Sequence, residues 1–477
     1  MSISRKPVLA LSLLAVSQLM LALDFTIIFV ALPSLAADLG FAAHHLQWVV
    51  SAYALAYGGF LLIGGRLSDL AGRRRMFIVA MGLFGVGSLL GGLSATQLAL
   101  VLARGLQGLG GALLSPAALS LIMSNFREGP ERNRALAVWA ATGGVGLSLG
   151  LLLGGWLTSA FGWEWTFFVN VPIALLVMLL SPTALAETKA AAQTRHYDAA
   201  GALSVTAGML LLVYYLIQAP VDGWLHLRAL PFGLAGAALL AAFVVVELRS
   251  KEPLLPLRLF RVRSLRGATL TAALFSASFG TLYYFLTLYT QVVLSYTAIQ
   301  SGLAFLPLTI SALIGARWIG KSMSSLGAAG TVAVGMGLGA VGFALLIAMS
   351  GTASFWGVLP GTLLIGFGQA FVFTSMYIAG SAGIPPKEQG VASAIISTGQ
   401  QMGSAIGLAA AVAVISVRLG TTAPIETMAS ETMNAAVSTS YAFGTVVALS
   451  GVLVSFLVLR GSPAANGTPA AETKPMH

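Results

Sequence analysis

PVLALSLLAVSQLMLALDFTIIFVALPS, residues Pro7–Ser34, contains a single charged residue, Asp24. A helix needs about 20 mostly apolar residues to cross ~30 Å of hydrocarbon, and this run exceeds that length. It follows Arg5 and Lys6, as a secretory leader would. A leader's apolar stretch ends after about 7–15 residues, however, so the longer run reads as a retained membrane span.

Thirteen further windows of the same kind follow, making fourteen. Up to the middle of the chain they are Leu46–Gly65, Met76–Leu93, Leu98–Ser120, Arg134–Ala160, Trp165–Leu180, Gly201–Ala219 and Ala229–Glu247. Beyond it they are Arg266–Val292, Ser301–Gly320, Gly330–Met349, Phe355–Gly380, Val391–Val417 and Ser438–Leu459. Composition agrees: of 477 residues 57% are hydrophobic and 8% charged, against roughly 45–50% and about 25% in a soluble domain. So few charges would not coat a soluble protein of this size. The expected fold class is an all-α polytopic membrane protein in the lipid bilayer.

The net charge of +10 comes from 25 basic residues spread along the chain. They form no nucleic-acid patch and read as topology signals. Arg73–Arg75, Arg127, Arg132, Arg134, Lys189, Arg195, Arg249 through Arg266, Arg317, Lys321 and Lys387 fall in one set of alternating loops; the other set holds Arg228 and Arg418. Arg5, Lys6 and Arg460 belong with the richer set, which places both termini in the cytoplasm and makes the number of spans even. The absence of cysteine removes disulfides and thiolate metal sites. The five His have no zinc spacing and no phosphate-binding loop is present. No cofactor, no metal and no enzyme activity is expected, and any work done here must draw on a gradient or an accessory protein.

Glycines hint at a repeat. Gly146, Gly150 and Gly154 recur as Gly399, Gly403 and Gly407, each 253 residues further on. Two related six-span halves would leave such a trace. The expected organisation is a six-helix bundle over 7–182, two inserted helices over 199–250, a second six-helix bundle over 263–460 and a disordered cytoplasmic tail over 461–477. The glycines stand one turn apart on one face, the pattern that lets helices approach closely. Ordinary packing and a sliding contact between the halves both fit.

Asp24 lies about 15 Å deep by helical rise, where an ionised carboxylate costs several kcal/mol. A carboxyl so placed is suited to loading and releasing a proton; the plain alternative is a permanent ion pair. Arg104 lies at comparable depth in the fourth window and must be paired or face water. Asp24 is its expected partner, and pinning helices through backbone carbonyls is the other reading. Gly65, Asp69, Gly72 and Arg73 form the most informative loop. Topology explains its arginines but not Asp69, which can bond Arg73 or a helix N-terminus and latch one conformation. Candidate cavity residues are Gln18, Phe25, Tyr53, Tyr57, Gln107, Trp139, Tyr283, Tyr284, Gln291 and Phe373, although helix packing alone accounts for any one of the aromatics.

Gly65-x-x-x-Asp69-x-x-Gly72-Arg73-Arg74 resembles the cytoplasmic signature of the major facilitator superfamily, and Arg104-Gly105-Leu106-Gln107-Gly108 its fourth-span motif. Leu23-Asp24-Phe25-Thr26 with Val30-Ala31-Leu32-Pro33 is similar to the first span of the 14-span drug:proton antiporters. Gln47–Tyr53, Phe167-Phe168-Val169-Asn170-Val171-Pro172, Pro256–Phe260 and Gln300–Leu303 resemble that family too. Three positions depart from it: Leu151 follows Gly150 where Pro is usual, Glu164 stands between Trp163 and Trp165, and Gln400-Gln401 replaces a thirteenth-span Arg. The resemblance implies two six-helix bundles plus two inserted helices, 14 transmembrane spans, with the Asp24 and Arg104 positions serving proton coupling. The expected function is multidrug-type efflux of a small amphipathic substrate in exchange for protons. A dedicated metabolite or lipid exporter shares that machinery; a non-transporting receptor or intramembrane enzyme lacks a catalytic constellation in this sequence.

Overall fold

The computed structural model describes residues 5–41, 43–127, 130–187, 199–223, 225–250, 257–350, 354–384, 389–420 and 430–459. Lys189, Arg195, Pro256, Lys387, Arg460 and the 461–477 tail lie outside the described residues, as does the side chain of Asp69.

The described chain is helical throughout. The first elements are α1 (Arg5–Leu39), α2 (Ala43–Ala71), α3 (Arg73–Gly92), α4 (Gln97–Asn125), α5 (Pro130–Phe161), α6 (Trp165–Phe168) and α7 (Asn170–Ala184). Next come α8 (Ala199–Asp222), α9 (Leu230–Arg249), α10 (Arg263–Phe275), α11 (Thr281–Leu288), α12 (Ala298–Ala304) and α13 (Leu306–Ala316). The last four are α14 (Ile319–Ser350), α15 (Phe355–Ser381), α16 (Gln389–Leu419) and α17 (Ser430–Val454). Among the described residues, eleven helical stretches are long and apolar enough to cross a membrane.

Several breaks have local causes. Pro172 has no N–H to give the carbonyl four residues back, and the helix is interrupted at Val169 between α6 and α7. Pro307 does the same between α12 and α13. Within α14 the kink is Gly327, at φ 69°. It separates a short turn carrying Lys321 from the long apolar helix, so the sequence window starting at Gly330 is recovered. α10 and α11 run as one stretch, Arg263–Val293, through π-helical turns at Ser276–Gly280 and Tyr289–Val293.

The glycine triads serve two equivalent contacts. A Cβ on Gly146 would lie 2.7 Å from the Leu19 carbonyl oxygen, and one on Gly154 would lie 2.6 Å from that of Ile27. Gly399, Gly403 and Gly407 meet Thr269, Ala273 and Ala277 in the same way. Each triad therefore seats its helix on α1 or on the α10 stretch, the first helix of its own half of the sequence, so neither triad is the sliding contact. The spacing of 253 residues reflects one packing solution used twice. Thr26 adds a bond across the first contact, Oγ1 donating to the Leu147 carbonyl at 2.8 Å. Gly150→Val would drive a branched side chain into Thr26. Such overpacking costs about 1–3 kcal/mol, and the expected result is a lower melting temperature of the purified protein. An unchanged value would mean that α1 and α5 are not packed this closely.

The neighbouring face of α5 meets α12. Gly155 lies under Ala298, Gly302 under Leu151, and Ile299 N–H donates to Ser159 Oγ at 3.2 Å. Gln291 Nε2 donates to the Val30 carbonyl at 2.9 Å, and Tyr283 stacks between Phe29 and Phe305 at 5.8 and 5.9 Å. A second contact joins α2 and α16, where Gly58 faces Gln401 and Ala54 and Leu55 pack with Met402 and Ala405. α8 bridges both sides of that contact: Thr206 Oγ1 bonds the Gly59 carbonyl, and Val213 joins the same apolar cluster. α9 rests on α8 through Gly208 and Gly236 and turns Leu234 and Leu248 outward. Such unbroken apolar outer faces fit hydrocarbon rather than water.

Candidate functional site

Five helices converge on Asp24. It sits in the middle of α1, 1% exposed, with Arg104 beside it, also 1% exposed. Among the described residues the only other buried charged side chain is Glu247 on α9.

Glycine is what brings the surrounding backbones in. Gly108 of α4 lies against the Tyr53 carbonyl of α2, and Gly111 lies against the Tyr57 ring. α2 and α4 thus run parallel in matched register, and one turn before the Tyr53–Gly108 contact Arg104 meets Val49. On the other side Gly87 of α3 leaves space for the Gln107 backbone nitrogen, 2.8 Å from where a Cβ would stand. No larger residue at these positions would let α4 lie this close to both neighbours.

The polar groups saturate one another almost completely. Arg104 Nη1 donates to Asp24 Oδ2 at 2.8 Å and to Gln107 Oε1 at 2.9 Å, while its Nε donates to the Val49 carbonyl at 2.9 Å. The guanidinium carbon lies 4.4 Å from the centre of the Tyr53 ring, so the aromatic face covers the cation. Gln107 Nε2 donates to Asp24 Oδ1 at 2.9 Å and to Ser88 Oγ at 2.8 Å. Asn170 Nδ2 donates to the same Asp24 oxygen at 2.9 Å, and Asn170 Oδ1 has no partner. Removing two ions from water costs several kcal/mol each, and charge-assisted bonds of this kind offset it only when geometry is good. With Asp24 ionised the cluster has zero net charge. Adding a proton to Asp24 leaves the Arg104 charge unbalanced in a dry site, so protonation and rearrangement of the surroundings are physically linked.

Asp24 and Arg104 are paired as the sequence suggests. Gln107 and Tyr53, read as cavity residues, are 0% and 2% exposed and belong to this cluster, Gln107 Oε1 accepting from Arg104 and the Tyr53 ring covering its guanidinium. Tyr284 is packed edge-on against Phe285 in the apolar core. Tyr283 and Gln291 serve the α1 contact, and the Tyr283 hydroxyl pairs with the Gln369 amide at 3.0–3.1 Å. Gln18 lies beside Gly143, and Phe25 packs against both of the large apolar clusters. Tyr57, tilted against Tyr53, and Trp139 are half-buried, and the Trp139 Nε1 has no partner. Phe373, 44% exposed, touches Phe275 and Tyr377. Ser88 and Asn170 join the cluster without having been expected from sequence, although an Asn inside an apolar window is the signal that marks the second.

At the α2–α3 turn, Gly65 lies in α2, and Gly72 takes φ +98°, a conformation easy only for glycine. Arg73 Nη1 reaches the Ser120 carbonyl at 3.4 Å. Among the described residues, a carboxylate placed at the N-terminus of α3 is that of Glu187, accepting from Arg74 N and Arg75 N at 3.3 and 3.2 Å and lying 3.5 Å from Arg74 Nε. A Cβ on Gly72 would stand 2.6 Å from it.

Residues 14–408 match the Major Facilitator Superfamily family model. The cephamycin export protein CmcT of Amycolatopsis lactamdurans is 38% identical, over 84% of this chain and 83% of that protein. The puromycin resistance protein pur8 of Streptomyces alboniger is 36% identical, over 82% and 78%. The crystal structure of an auto-inhibited POT family peptide transporter superposes with a TM-score of 0.68, covering 98% of this chain and 99% of that one at 16% identity. The last likeness concerns the fold alone.

Proposed function

The chain belongs to the Major Facilitator Superfamily, and from that premise we propose that it is a proton-coupled exporter of amphipathic organic compounds. The observation that carries the proposal is the buried Asp24–Arg104 pair, a titratable carboxyl at the centre of α1 inside a neutral, almost fully bonded cluster. Relatives named for cephamycin export and for puromycin resistance support the efflux reading.

In this reading the protein has fourteen spans. α2, α5 and α8, of 29, 32 and 24 residues, join the eleven apolar stretches. Six-helix bundles over 7–182 and 263–460 flank the two inserted helices of 199–250, and both termini face the cytoplasm, the side favoured by the basic loops. The bundles rock about the α5–α12 and α2–α16 contacts, exposing the space between them to either side in turn. α1 is tied to the second bundle at Phe29 and Val30, little more than one turn from Asp24, so rocking changes the surroundings of the carboxyl directly. Substrate passes along half-buried groups, Gln18, Phe25, Tyr57 and Trp139 on one side and Tyr377 with Gln400 on the other. At the cytoplasmic turn, Gly65, Asp69, Gly72 and Arg73 latch one state, with Glu187 holding the start of α3.

The test is efflux of ethidium from proteoliposomes under an imposed pH gradient. Gradient-dependent efflux is expected; efflux indifferent to the gradient contradicts proton coupling. A panel of neutral and cationic organic compounds in the same assay separates a broad exporter from one dedicated to a single metabolite or lipid.

A further inference from the structure

If Asp24 carries the coupling proton, the reading on which this inference rests, its neighbours must serve two chemical forms. Ionised, the carboxylate accepts three hydrogen bonds, from Arg104, Gln107 and Asn170. Protonated, it gains an O–H that needs an acceptor in a site shielded from water.

Most neighbours cannot supply one. Arg104 has no lone pair to offer. Gln107 is held at both ends: Oε1 accepts from Arg104, and the two Nε2 hydrogens go to Asp24 and Ser88. Turning that amide over would break all three bonds and aim an NH₂ group at a guanidinium. Ser88 reaches Gln107 rather than the carboxyl, and Thr26 is turned toward Leu147 of α5. Among the described residues the titratable groups around Asp24 are Arg104 from α4 and Tyr53 from α2, with Tyr283 of α11 one helical turn further along behind Phe29. α3 contributes Ser88 and α7 contributes Asn170; α5 presents glycines and the Leu147 carbonyl.

Asn170 differs from all of these. It is 0% exposed, its Nδ2 is 2.9 Å from Asp24 Oδ1, and its own Oδ1 has no partner. A wholly buried amide oxygen left unbonded is uncommon and calls for a reason. Its last side-chain torsion is broad and nearly two-fold, so a half-turn exchanges N and O at little steric cost. We propose that Asn170 is a positioning residue for the coupling proton: its amide donates to ionised Asp24 and turns over to accept from the protonated form. The step balances without further reactants. A proton arriving from water forms the Asp24 O–H bond, the Nδ2–H···Oδ1 contact is released, and Asp24 O–H···Oδ1 of Asn170 replaces it. Local sequence puts the residue where this is possible, because Asn170 opens α7 immediately after the interruption at Val169 imposed by Pro172.

The experiment is an acid-minus-neutral infrared difference spectrum of the full chain in lipid nanodiscs, with ¹³C in the asparagine side-chain carbonyls. In the wild type a carboxylic acid C=O band should appear on acidification, and this band should be absent from Asp24→Asn. With it, one asparagine C=O band should move to lower frequency, the sign of a newly accepted hydrogen bond, and this signal should be missing from Asn170→Leu. Should Asn170→Leu fail to fold, a chain carrying Asn125→Gln, Asn133→Gln, Asn434→Gln and Asn466→Gln leaves position 170 as the single labelled site. A carboxyl band accompanied by an unmoved amide, or by one moving to higher frequency as the donor bond is lost, overturns the turnover and leaves Asp24 as the proton site. A wild type with no carboxyl band overturns the reading of Asp24 and the proposal with it.

Discussion

Asp24→Asn should reduce pH-gradient-driven ethidium efflux to the passive leak while leaving the folded protein intact. The substitution keeps the shape of the side chain and removes the titrating proton. Asn at this position offers Arg104 an oxygen to bond, so the guanidinium keeps a partner, and its bonds to Gln107 Oε1 and the Val49 carbonyl are untouched. Efflux should also lose its dependence on the pH gradient, since the variant has no carboxyl at this site to carry the proton. Efflux that survives at full rate and still follows the gradient would move the coupling site elsewhere.

Arg104→Leu should destabilise the protein by about 3–5 kcal/mol, because it leaves a buried carboxylate without its counter-charge. The double variant with Asp24→Asn should recover much of that loss without recovering transport, since removing both charges leaves no uncompensated ion. Thermal unfolding of the purified variants measures this. If the double variant is no more stable than Arg104→Leu alone, Arg104 acts mainly as a pin to the Val49 carbonyl, and the pairing contributes little.

Charge in an apolar run is the loudest signal a membrane sequence carries, and for that reason Asp24 and Arg104 were legible from composition and depth alone. The long apolar windows were legible for the same reason, since length against bilayer thickness fixes them. Partner choice beyond that pair was not. Gly146, Gly150 and Gly154 announced a close approach without saying to what, and only the packing shows α1 as the answer. Gln107 resembled a cavity residue because a polar side chain in a span has two possible reasons to be there, a substrate or a buried ion, and spacing does not separate them. Ser88 is a common small residue in membrane helices and carries no mark of its contact with Gln107. Glu187 meets Arg74 and Arg75 across more than a hundred residues of chain, a separation at which local pattern carries no information.

Exchange requires that substrate and proton compete for one protein, so the most direct measurement is proton release on substrate binding. Ethidium added to the purified chain in weakly buffered solution should acidify the medium in proportion to the dye bound, and Asp24→Asn should bind dye with no acidification. Equal proton release from the wild type and from Asp24→Asn would contradict the account.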